Sequence, residues 1–271
     1  MSYRPKLIAT DLDGTICPHA APISKRTIAT LTRAHELGVR VFLVTGRPPR
    51  WMGQIKEAFN FGQAICSNGG LLWDLQNEKV IEEWRITPAD LKETVTRLRK
   101  AIPEVHFAFE NHGDFTREKK YEARWDVGVD NTGVDDILDY IGNGAIKLLV
   151  RGSDKLFNSD EMLKVATQAV GDIVTVTHSN PWESLLEISA HSVSKGDTLA
   201  VICERLKIYR EDVVAFGDNP NDFSMLEFAG RSYIMSDGHP DGIKYATATA
   251  PPCEEDGVAQ VVEELLKLPG R

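Results

Sequence analysis

The sequence feature that most constrains the fold is a short apolar run that ends in two carboxylates, one residue apart, and a glycine. Residues 7–10 predict a buried strand, and Asp11, Asp13 and Gly14 follow it directly. In an open α/β sheet, ligands bind beyond the carboxyl ends of the strands, at the switch point of the topology. Two acids at that position repel each other unless a cation lies between them or one of them keeps its proton. The segment therefore predicts an α/β domain with a ligand site at the end of its first strand.

Composition and charge set the class of protein and exclude some partners. With 271 residues, of which 42% are hydrophobic and 26% charged, the chain is globular and can form one large or two modest domains. The net charge of −9 gives no electrostatic reason to expect a nucleic acid or an anionic membrane as a partner. Four dispersed cysteines predict buried free thiols. We find no signal-peptide pattern and no apolar run near ~18 residues, so we expect a cytoplasmic protein.

Strand and helix signals alternate through the first part of the chain. Ser24 fits the N-cap of a helix that precedes a second strand at residues 39–44. Pro48 and Pro49 suit the first turn of another helix, and a third strand follows at residues 64–67. Because strands that alternate with helices usually pair in parallel, this part of the chain predicts a mostly parallel sheet.

After a hairpin predicted at residues 71–84, the order of strands and helices changes. The elements predicted next are a helix from residue 87, a strand at 105–109, a poorly periodic stretch at 110–133, a short helix at 135–141, a strand at 145–150, a helix at 159–170, and strands at 173–177 and 185–188. Two helices on an antiparallel sheet form an α+β unit of ordinary domain size. We therefore expect one domain from residues 1–84 and 190–271, with a second domain inserted at residues 85–189.

Polar side chains end three of the strands predicted for the first domain. Asp11 and Asp13 follow the first strand, Thr45 follows the second, and Asp218 follows a later one. Lys195 lies at the start of the helix that precedes this last strand. Because the carboxyl ends of parallel strands share one edge of a sheet, we expect these side chains to converge on a single site.

The order of these clusters resembles that of the haloacid dehalogenase-like superfamily of phosphotransferases. The segments that carry the resemblance are Asp11-Leu12-Asp13-Gly14-Thr15, Thr45-Gly46, Lys195 and Gly217-Asp218-Asn219-Pro220-Asn221-Asp222. The inserted α+β unit and the closing Gly257-Val258-Ala259 with its helix are similar to the Cof-type, sugar-phosphatase-like branch. Residues 235–240 depart from the Gly-Asn-Ala turn that is usual there. The resemblance implies a Rossmann-like parallel-sheet core with an inserted α+β cap domain.

The resemblance also implies catalytic and metal-binding roles. Asp11 would be the nucleophile that forms an aspartyl-phosphate, and Asp13 would act as general acid and then as general base. Mg²⁺, a cation that prefers oxygen ligands, would be held by Asp11, Asp218 and the backbone carbonyl of Asp13. Asp222 would support these ligands from behind.

Phosphate oxygens need donors and positive charge, and four residues could supply them. Thr45 offers a hydroxyl, and the amide of Gly46 lies ahead of the predicted helix, whose dipole would favour an anion. Lys195 is a compact point charge suited to the negative charge of the transition state. Asn221 would lie close to the phosphate.

We therefore expect an Mg²⁺-dependent phosphatase that hydrolyses a small phosphorylated metabolite, such as a sugar phosphate, as a monomer or small homo-oligomer. A phosphomutase, a metal-dependent glycosyltransferase and a non-catalytic metabolite-binding module on the same fold are alternatives. Substrate recognition would fall to loops of the inserted domain, and residues 110–114 and 179–183 are the candidates.

Several of the candidate residues also have a purely structural interpretation. Asp13-Gly14 fits a turn, Asn219 and Asp222 fit helix caps, the Thr45 hydroxyl fits a local hydrogen bond, and Lys195 fits a solvated helix position. Six histidines show no metal-ligand spacing and are expected on surfaces or in loops: His19, His106, His112, His178, His191 and His239.

Overall fold

Two β-sheets with helices packed on them make up the computed structural model, which describes residues 4–19, 21–129 and 131–268. The strands are β1 Leu7–Thr10, β2 Arg40–Val44, β3 Gln63–Cys66, β4 Leu71–Asp74, β5 Lys79–Glu83, β6 His106–Glu110, β7 Phe115–Arg117, β8 Lys147–Arg151, β9 Val174–Thr177, β10 Leu185–Ala190, β11 Val213–Gly217, β12 Arg231–Met235 and β13 Ala248–Ala250. The α-helices are α1 Lys25–Glu36, α2 Gly53–Ala58, α3 Pro88–Ala101, α4 Ser159–Val170, α5 Lys195–Leu206, α6 Phe223–Phe228 and α7 Gly257–Leu266.

The larger sheet has eight strands in the order β13-β12-β11-β1-β2-β3-β4-β5. Its first six strands are parallel, and the hairpin of β4 and β5 adds two antiparallel strands at one edge. Strand β1 lies at the centre, between β2 and β11. This central position explains why residues 7–10 read as a continuous apolar run, since a parallel strand is buried on both faces.

Helices cover both faces of this sheet. Along β1, Ile8 packs into the cluster that contains residues of α1 and α7, whereas Leu7 and Ala9 pack into the cluster that contains residues of α5 and α6. The alternation follows from the two-residue side-chain period of a strand. The result is a three-layer α/β domain, so the predicted parallel-sheet core is confirmed.

The smaller sheet is antiparallel, with the strand order β7-β6-β8-β10-β9. One of its faces packs against α3 and α4 through a separate apolar cluster. Thr87 caps α3 ahead of Pro88, and Asn158 forms a capping box with Glu161 at the start of α4. This α+β unit interrupts the larger sheet as predicted. The proposed division into residues 1–84 with 190–271 and residues 85–189 separates the two sheets except for Ala190, the last residue of β10.

Three local predictions differ from the structure. The stretch at 110–133, predicted as irregular, contains β7, a three-residue strand that is too short to produce a pattern. The helix predicted at 135–141 is a 3-10 turn over Ile137–Tyr140, and Gly142 and Gly144 end it with positive φ angles. The helix predicted after Pro48 and Pro49 is a 3-10 turn over Pro49–Trp51 followed by the six-residue α2. Each of these elements is too short for hydrophobic periodicity to define it.

Two predictions based on composition are also addressed by the structure. All four cysteines are buried and free, as expected. Within the described residues, we find no helix with the length and apolar character needed to cross a membrane.

Candidate active site

The predicted polar clusters meet at the carboxyl edge of the larger sheet. Strand β1 pairs in parallel with both β2 and β11, so the residues that follow these three strands are neighbours. Asp11 follows β1, Thr45 follows β2 and Asp218 follows β11. The parallel order of the strands predicted that these residues would converge. The register in which the strands pair brings them together.

A buried acid cluster forms at this edge from Asp11, Asp218 and Asp222, which each place one carboxylate oxygen within 4.8 Å of the others. Lys195 reaches into it, with Nζ 2.5 Å from Asp11 Oδ1 and 2.6 Å from Asp222 Oδ1. The Lys195 side chain is fully buried, so the interpretation as a solvated helix lysine is wrong. Lys195 is the first residue of α5, which begins at the N-cap Ser194.

Asp222 shapes the loop as well as pairing with Lys195. Its Oδ2 accepts hydrogen bonds from the backbone N–H groups of Asp218, at 3.0 Å, and Asn219, at 3.1 Å. With Asn219 it forms a capping box around the 3-10 turn Pro220–Asp222. The structural interpretation of both residues as caps is therefore confirmed. Both Asp218 oxygens also accept hydrogen bonds from the protein, from Asn219 Nδ2 at 2.6 Å and from the Thr15 hydroxyl at 3.4 Å. Among the described residues only Lys195 donates to the Asp11 carboxylate, so Asp11 is the acid with the most capacity left for a ligand.

The electrostatics of the cluster are unfavourable without a further cation. Burial, together with the charges of Asp222 and Asp13, raises the pKa of Asp11 to about 8 although Lys195 opposes the shift. Burial and the neighbouring acids also raise the pKa of Asp218 well above its ordinary value. Burial lowers the pKa of Lys195, but Asp11 and Asp222 outweigh it and raise that pKa overall. One lysine therefore faces three carboxylates. The excess negative charge is one that a bound divalent cation would offset.

The chemistry of the donor set matches a hard cation. The three acids offer only oxygen ligands, as Mg²⁺ and Ca²⁺ prefer. Beside them, the side-chain oxygen of Asn221 is buried and accepts no hydrogen bond within the described part of the chain. Gly14 lets Asp218 approach closely, because a Cβ at that position would lie 2.4 Å from Asp218 Oδ2. The residues present thus fit a metal-ligand cluster.

Asp13 lies apart from the three clustered acids. About half of its side chain is exposed, and Arg47 pairs with both of its oxygens, with Nε 2.8 Å from Oδ2 and Nη2 bound to Oδ1. Sequence reasoning identified Asp13 but assigned no role to Arg47. The signal was present, because Arg47 follows Thr45-Gly46 directly at a predicted strand end.

Thr45 and Gly46 lie beside the cluster at the end of β2. The buried Thr45 hydroxyl accepts a hydrogen bond from the Arg47 N–H at 3.0 Å, so the structural interpretation as a local hydrogen bond is confirmed. The Gly46 carbonyl accepts a hydrogen bond from Lys147 Nζ at 2.9 Å. The helix dipole expected behind Gly46 is not available, because the 3-10 turn and short α2 replace the predicted helix.

A chain of amide side chains links this edge to the antiparallel sheet. Asn221 Nδ2 donates to Asn68 Oδ1 at 3.1 Å, and Asn68 Nδ2 donates to Glu187 Oε2 at 2.7 Å. Glu187 also accepts a hydrogen bond from Lys147 at 2.7 Å. The inserted unit therefore contacts the carboxyl edge of the larger sheet, beside the acid cluster, through specific polar groups.

A cavity of about 280 Å³ lies between the acid cluster and the inserted unit. Asp11, Asp13, Gly46, Asp218 and Asn221 line its core side. Its other wall includes Glu110 and, from the predicted recognition loop at 179–183, Ser179, Asn180 and Glu183. Residues 111–114 of the other predicted loop do not contribute to the lining.

Most of the opposite wall comes from residues that sequence reasoning did not select. They are Trp125, Lys147, Leu149, Leu185 and Glu187, and Trp51 lines the cavity from the core unit. Alternate residues of β8 and β10 face the cavity, while Leu148, Val150, Leu186 and Ile188 pack against the helices. The sequence did contain a signal for this wall, because charged residues flank the apolar residues of the strand Lys147-Leu148-Leu149-Val150-Arg151.

Two of the six histidines lie in loops, as predicted, but they make tertiary contacts that the prediction did not include. His178 is fully buried, and its Nε2 lies 2.9 Å from Asp160 Oδ1. His239 Nε2 lies 3.3 Å from the other oxygen of Asp160, and the His239 backbone N–H donates to the Asp218 carbonyl at 2.7 Å. Through His239, the segment at 235–240 thus connects Asp218 of the acid cluster to α4. Single histidines without ligand spacing gave no sign of this tertiary contact.

Comparisons with known proteins agree with this architecture. The family model for haloacid dehalogenase-like hydrolases matches residues 8–262. The putative phosphatase YkrA of Bacillus subtilis is 30% identical, over 96% of this chain and 97% of its own. The 5-amino-6-(5-phospho-D-ribitylamino)uracil phosphatase YitU of the same species is 26% identical, over 99% and 100%. The solved structure of the phosphatase BT1666 from Bacteroides thetaiotaomicron has a TM-score of 0.80 at 19% identity, covering 97% of this chain and 95% of that one.

The fold and the site define an α/β enzyme whose inserted α+β domain covers a buried acid cluster. The chain belongs to the haloacid dehalogenase-like hydrolase family, as the resemblance of its motifs predicted. Within that family it is a phosphatase, and the inserted domain is a cap over the site.

Proposed function

We propose that this enzyme is an Mg²⁺-dependent phosphatase that hydrolyses a small sugar or polyol monophosphate through an aspartyl-phosphate on Asp11. The observation that carries the proposal is the buried contact of Lys195 with Asp11, an acid that lines the cavity together with Asp218. Tertiary folding brings these residues together from the two ends of the chain. If Asp13-Gly14 were only a turn, Asp222 only a helix cap and Lys195 only a surface lysine, these residues would not be expected to converge on one site.

Asp11 acts as the nucleophile in this proposal. Lys195 holds Asp11 Oδ1, and no other described group donates a hydrogen bond to the carboxylate. An Asp11 oxygen attacks phosphorus, and the ester bond between phosphorus and the leaving oxygen breaks. Water then attacks the phosphorus of the aspartyl-phosphate, the bond to Asp11 breaks, and inorganic phosphate leaves.

Asp13 moves the protons for both half-reactions. It gives a proton to the leaving oxygen in the first step and accepts one from the attacking water in the second. Its exposed side chain lines the cavity, where a leaving group would be, and Arg47 fixes its orientation. A general acid must lie within hydrogen-bond reach of the leaving oxygen, so this orientation matters for catalysis.

Asp11, Asp218 and the backbone carbonyl of Asp13 would hold Mg²⁺, with Asp222 supporting them through its bonds to Lys195 and the Asp218 loop. The bound cation would offset the charge of the acids and polarise the phosphoryl group. Thr45, the Gly46 amide, Asn221 and Lys195 would donate to the phosphoryl oxygens. Gly46 and Asn221 line the cavity, as do Asp11, Asp13 and Asp218, which supports these roles.

The size and polarity of the cavity support a small hydroxyl-rich leaving group. About 280 Å³ is at the lower end of ordinary ligand pockets, and carboxylates, amides and a hydroxyl lie among its apolar residues. The name of the related YitU protein gives it a substrate with a phosphorylated ribityl chain, which is a polyol. The expected cytoplasmic location and the expected monomer or small homo-oligomer stay predictions from the sequence.

A phosphate-release screen over sugar, polyol and nucleoside monophosphates, with and without Mg²⁺, tests the proposed function. We expect Mg²⁺-dependent release, fastest for a sugar or polyol monophosphate. Stimulation by a bisphosphorylated sugar would instead indicate a phosphomutase, and metabolite binding without phosphate release would indicate a non-catalytic module.

Removal of divalent ions is expected to abolish phosphate release, and added Mg²⁺ is expected to restore it. Because the metal binds the folded acid cluster, Mg²⁺ at 100 times its Kd should stabilise the protein by about 2.7 kcal/mol. Asp218→Asn should raise the Mg²⁺ concentration required for half-maximal activity at least about 10- to 100-fold, the loss typical even for residues that only support a metal ligand. Activity that persists in full after chelation would contradict the assignment of the cluster as a metal site.

Arg47→Met is expected to lower kcat about 10- to 100-fold, because Asp13 loses the group that fixes both of its oxygens and small misplacements of a catalytic group are costly. Steady-state kinetics with the best substrate of the screen measure the effect. Arg40→Met, at the exposed start of β2, is the matched control and should leave kcat unchanged. An unchanged kcat in Arg47→Met would remove Arg47 from the proposed mechanism.

A further inference from the structure

We propose that Arg151 is a positioning residue that holds Glu183 and Trp125 as the recognition surface for the leaving group, and that this group is a neutral polyol or sugar whose hydroxyl donates to Glu183. The inference rests on the proposed phosphatase function, and it specifies which part of the substrate the cap would recognise. Three segments of the cap meet at Arg151: the end of β8, the loop before β10 and the long connection after β7.

Arg151 is a buried cation placed behind the cavity wall. Its side chain is only 3% exposed, and Nη1 donates to Glu183 Oε2 at 2.5 Å. Its guanidinium carbon also lies 5.3 Å from the centre of the Trp125 ring. Glu183 and Trp125 both line the cavity, whereas Arg151 does not. One side chain therefore fixes two cavity residues that are distant in sequence.

Glu183 is the carboxylate of the cap wall with an oxygen to spare. Glu110 receives hydrogen bonds on both oxygens from Arg50. Glu187 receives them on both oxygens, from Ser179 on one and from Lys147 on the other. Within the described residues, no group donates to Glu183 Oε1, and a quarter of the Glu183 side chain is exposed. A substrate hydroxyl can therefore bind there without displacing a protein donor.

The charge balance of the wall favours a neutral leaving group. Arg47 is paired with Asp13, Lys147 with Glu187, and Arg151 with Glu183. A second phosphate or carboxylate on the substrate would have to break one of these pairs and would face the negative Glu183. Hydroxyl groups instead match the free acceptor, and the Trp125 ring offers a surface for the apolar side of a carbon chain or sugar ring.

Arg151 has no other acidic partner in the part of the chain that the structure describes. Its Nε and Nη2 groups are buried and lack a hydrogen-bond acceptor there, so Glu183 supplies its charge compensation. The planar guanidinium serves the carboxylate and the ring together, which the rounded ammonium of lysine cannot do. Replacing Arg151 by lysine should therefore disturb recognition even though the charge is kept.

The test compares ribitol phosphate with phenyl phosphate, which carries no hydroxyl on its leaving group. In Glu183→Gln and Arg151→Lys, the ratio of kcat/KM for ribitol phosphate to that for phenyl phosphate should fall about 10- to 100-fold, mainly through a higher KM for ribitol phosphate. This is the loss expected for one hydrogen bond to a charged acceptor. Arg124→Lys, which alters a surface ion pair with Asp154 in the same cap, is the matched control.

Trp125→Leu provides a second variant in case Arg151→Lys lowers the stability of the cap, and it should raise the KM for ribitol phosphate, because the carbon chain loses its apolar surface. An unchanged ratio in folded Glu183→Gln, or an unchanged KM for ribitol phosphate in folded Trp125→Leu, would overturn the inference. A wild-type enzyme that prefers phenyl phosphate to ribitol and sugar phosphates would also overturn it while leaving the phosphatase intact. Failure of the wild-type enzyme to release phosphate from any of them would instead contradict the proposed function.

Discussion

Asp11→Asn is expected to lower phosphate release by at least about 10⁴-fold while the protein stays folded. An amide oxygen is a far weaker nucleophile than a carboxylate, and removal of a catalytic nucleophile typically has an effect of this size. The fold should survive, because Asn is close to Asp in shape and Lys195 keeps its bond to Asp222. Phosphate release and the thermal unfolding midpoint of the two proteins, measured in the same Mg²⁺ buffer, check both parts of the expectation.

The matched control for this change is Asp237→Asn, which makes the same substitution at an exposed acid in the loop after β12. It should leave both activity and stability unchanged. Turnover by Asp11→Asn within about tenfold of the wild type would contradict a nucleophilic role for Asp11.

Lys195→Met is expected to affect both stability and rate. Removal of this lysine leaves Asp11 and Asp222 buried without their cation, and breaking a buried ion pair in this way costs about 3–5 kcal/mol. In the metal-free protein the unfolding midpoint should therefore drop by roughly 6–20 °C. Loss of a positive charge from the transition state should lower kcat by about 10²- to 10³-fold.

Mg²⁺ should recover part of the stability lost in Lys195→Met, because a bound cation offsets the same acids, but it should not recover kcat. The matched control is Lys207→Met, an exposed lysine that follows the last residue of the same helix. Equal stability of Lys195→Met and the wild type in the absence of metal would mean that the buried pairing is not a stabilising element of the site.

The core of the site could be predicted from the sequence because its signals are local. Asp11, Thr45 and Asp218 each follow an apolar run directly, and a parallel sheet brings the ends of its strands to one edge. Lys195 was placed correctly only through the order of the four segments, since a lone lysine at a helix start usually indicates a solvated position. The structure shows that it is fully buried.

The cap wall could not be predicted in the same way. Which face of β8 and β10 meets the cavity depends on how the two sheets pack, and a two-residue alternation does not distinguish the faces. Trp125 lies in a long connection without periodicity, and its contact with Arg151 joins segments far apart in sequence. The Arg47–Asp13 pair and the contact of Asp160 with His178 and His239 likewise depend on tertiary geometry.

Acid quenching of a single turnover, followed by peptide mass analysis, tests the central claim most directly. With excess enzyme, Mg²⁺ and the best monophosphate of the screen, we predict that the peptide containing Asp11 carries one phosphoryl group during the reaction and loses it as phosphate accumulates. The same peptide from Asp11→Asn should never carry the group. A phosphoryl group on any other residue would contradict an aspartyl-phosphate at Asp11, as would full turnover by an enzyme on which no phosphorylated peptide forms.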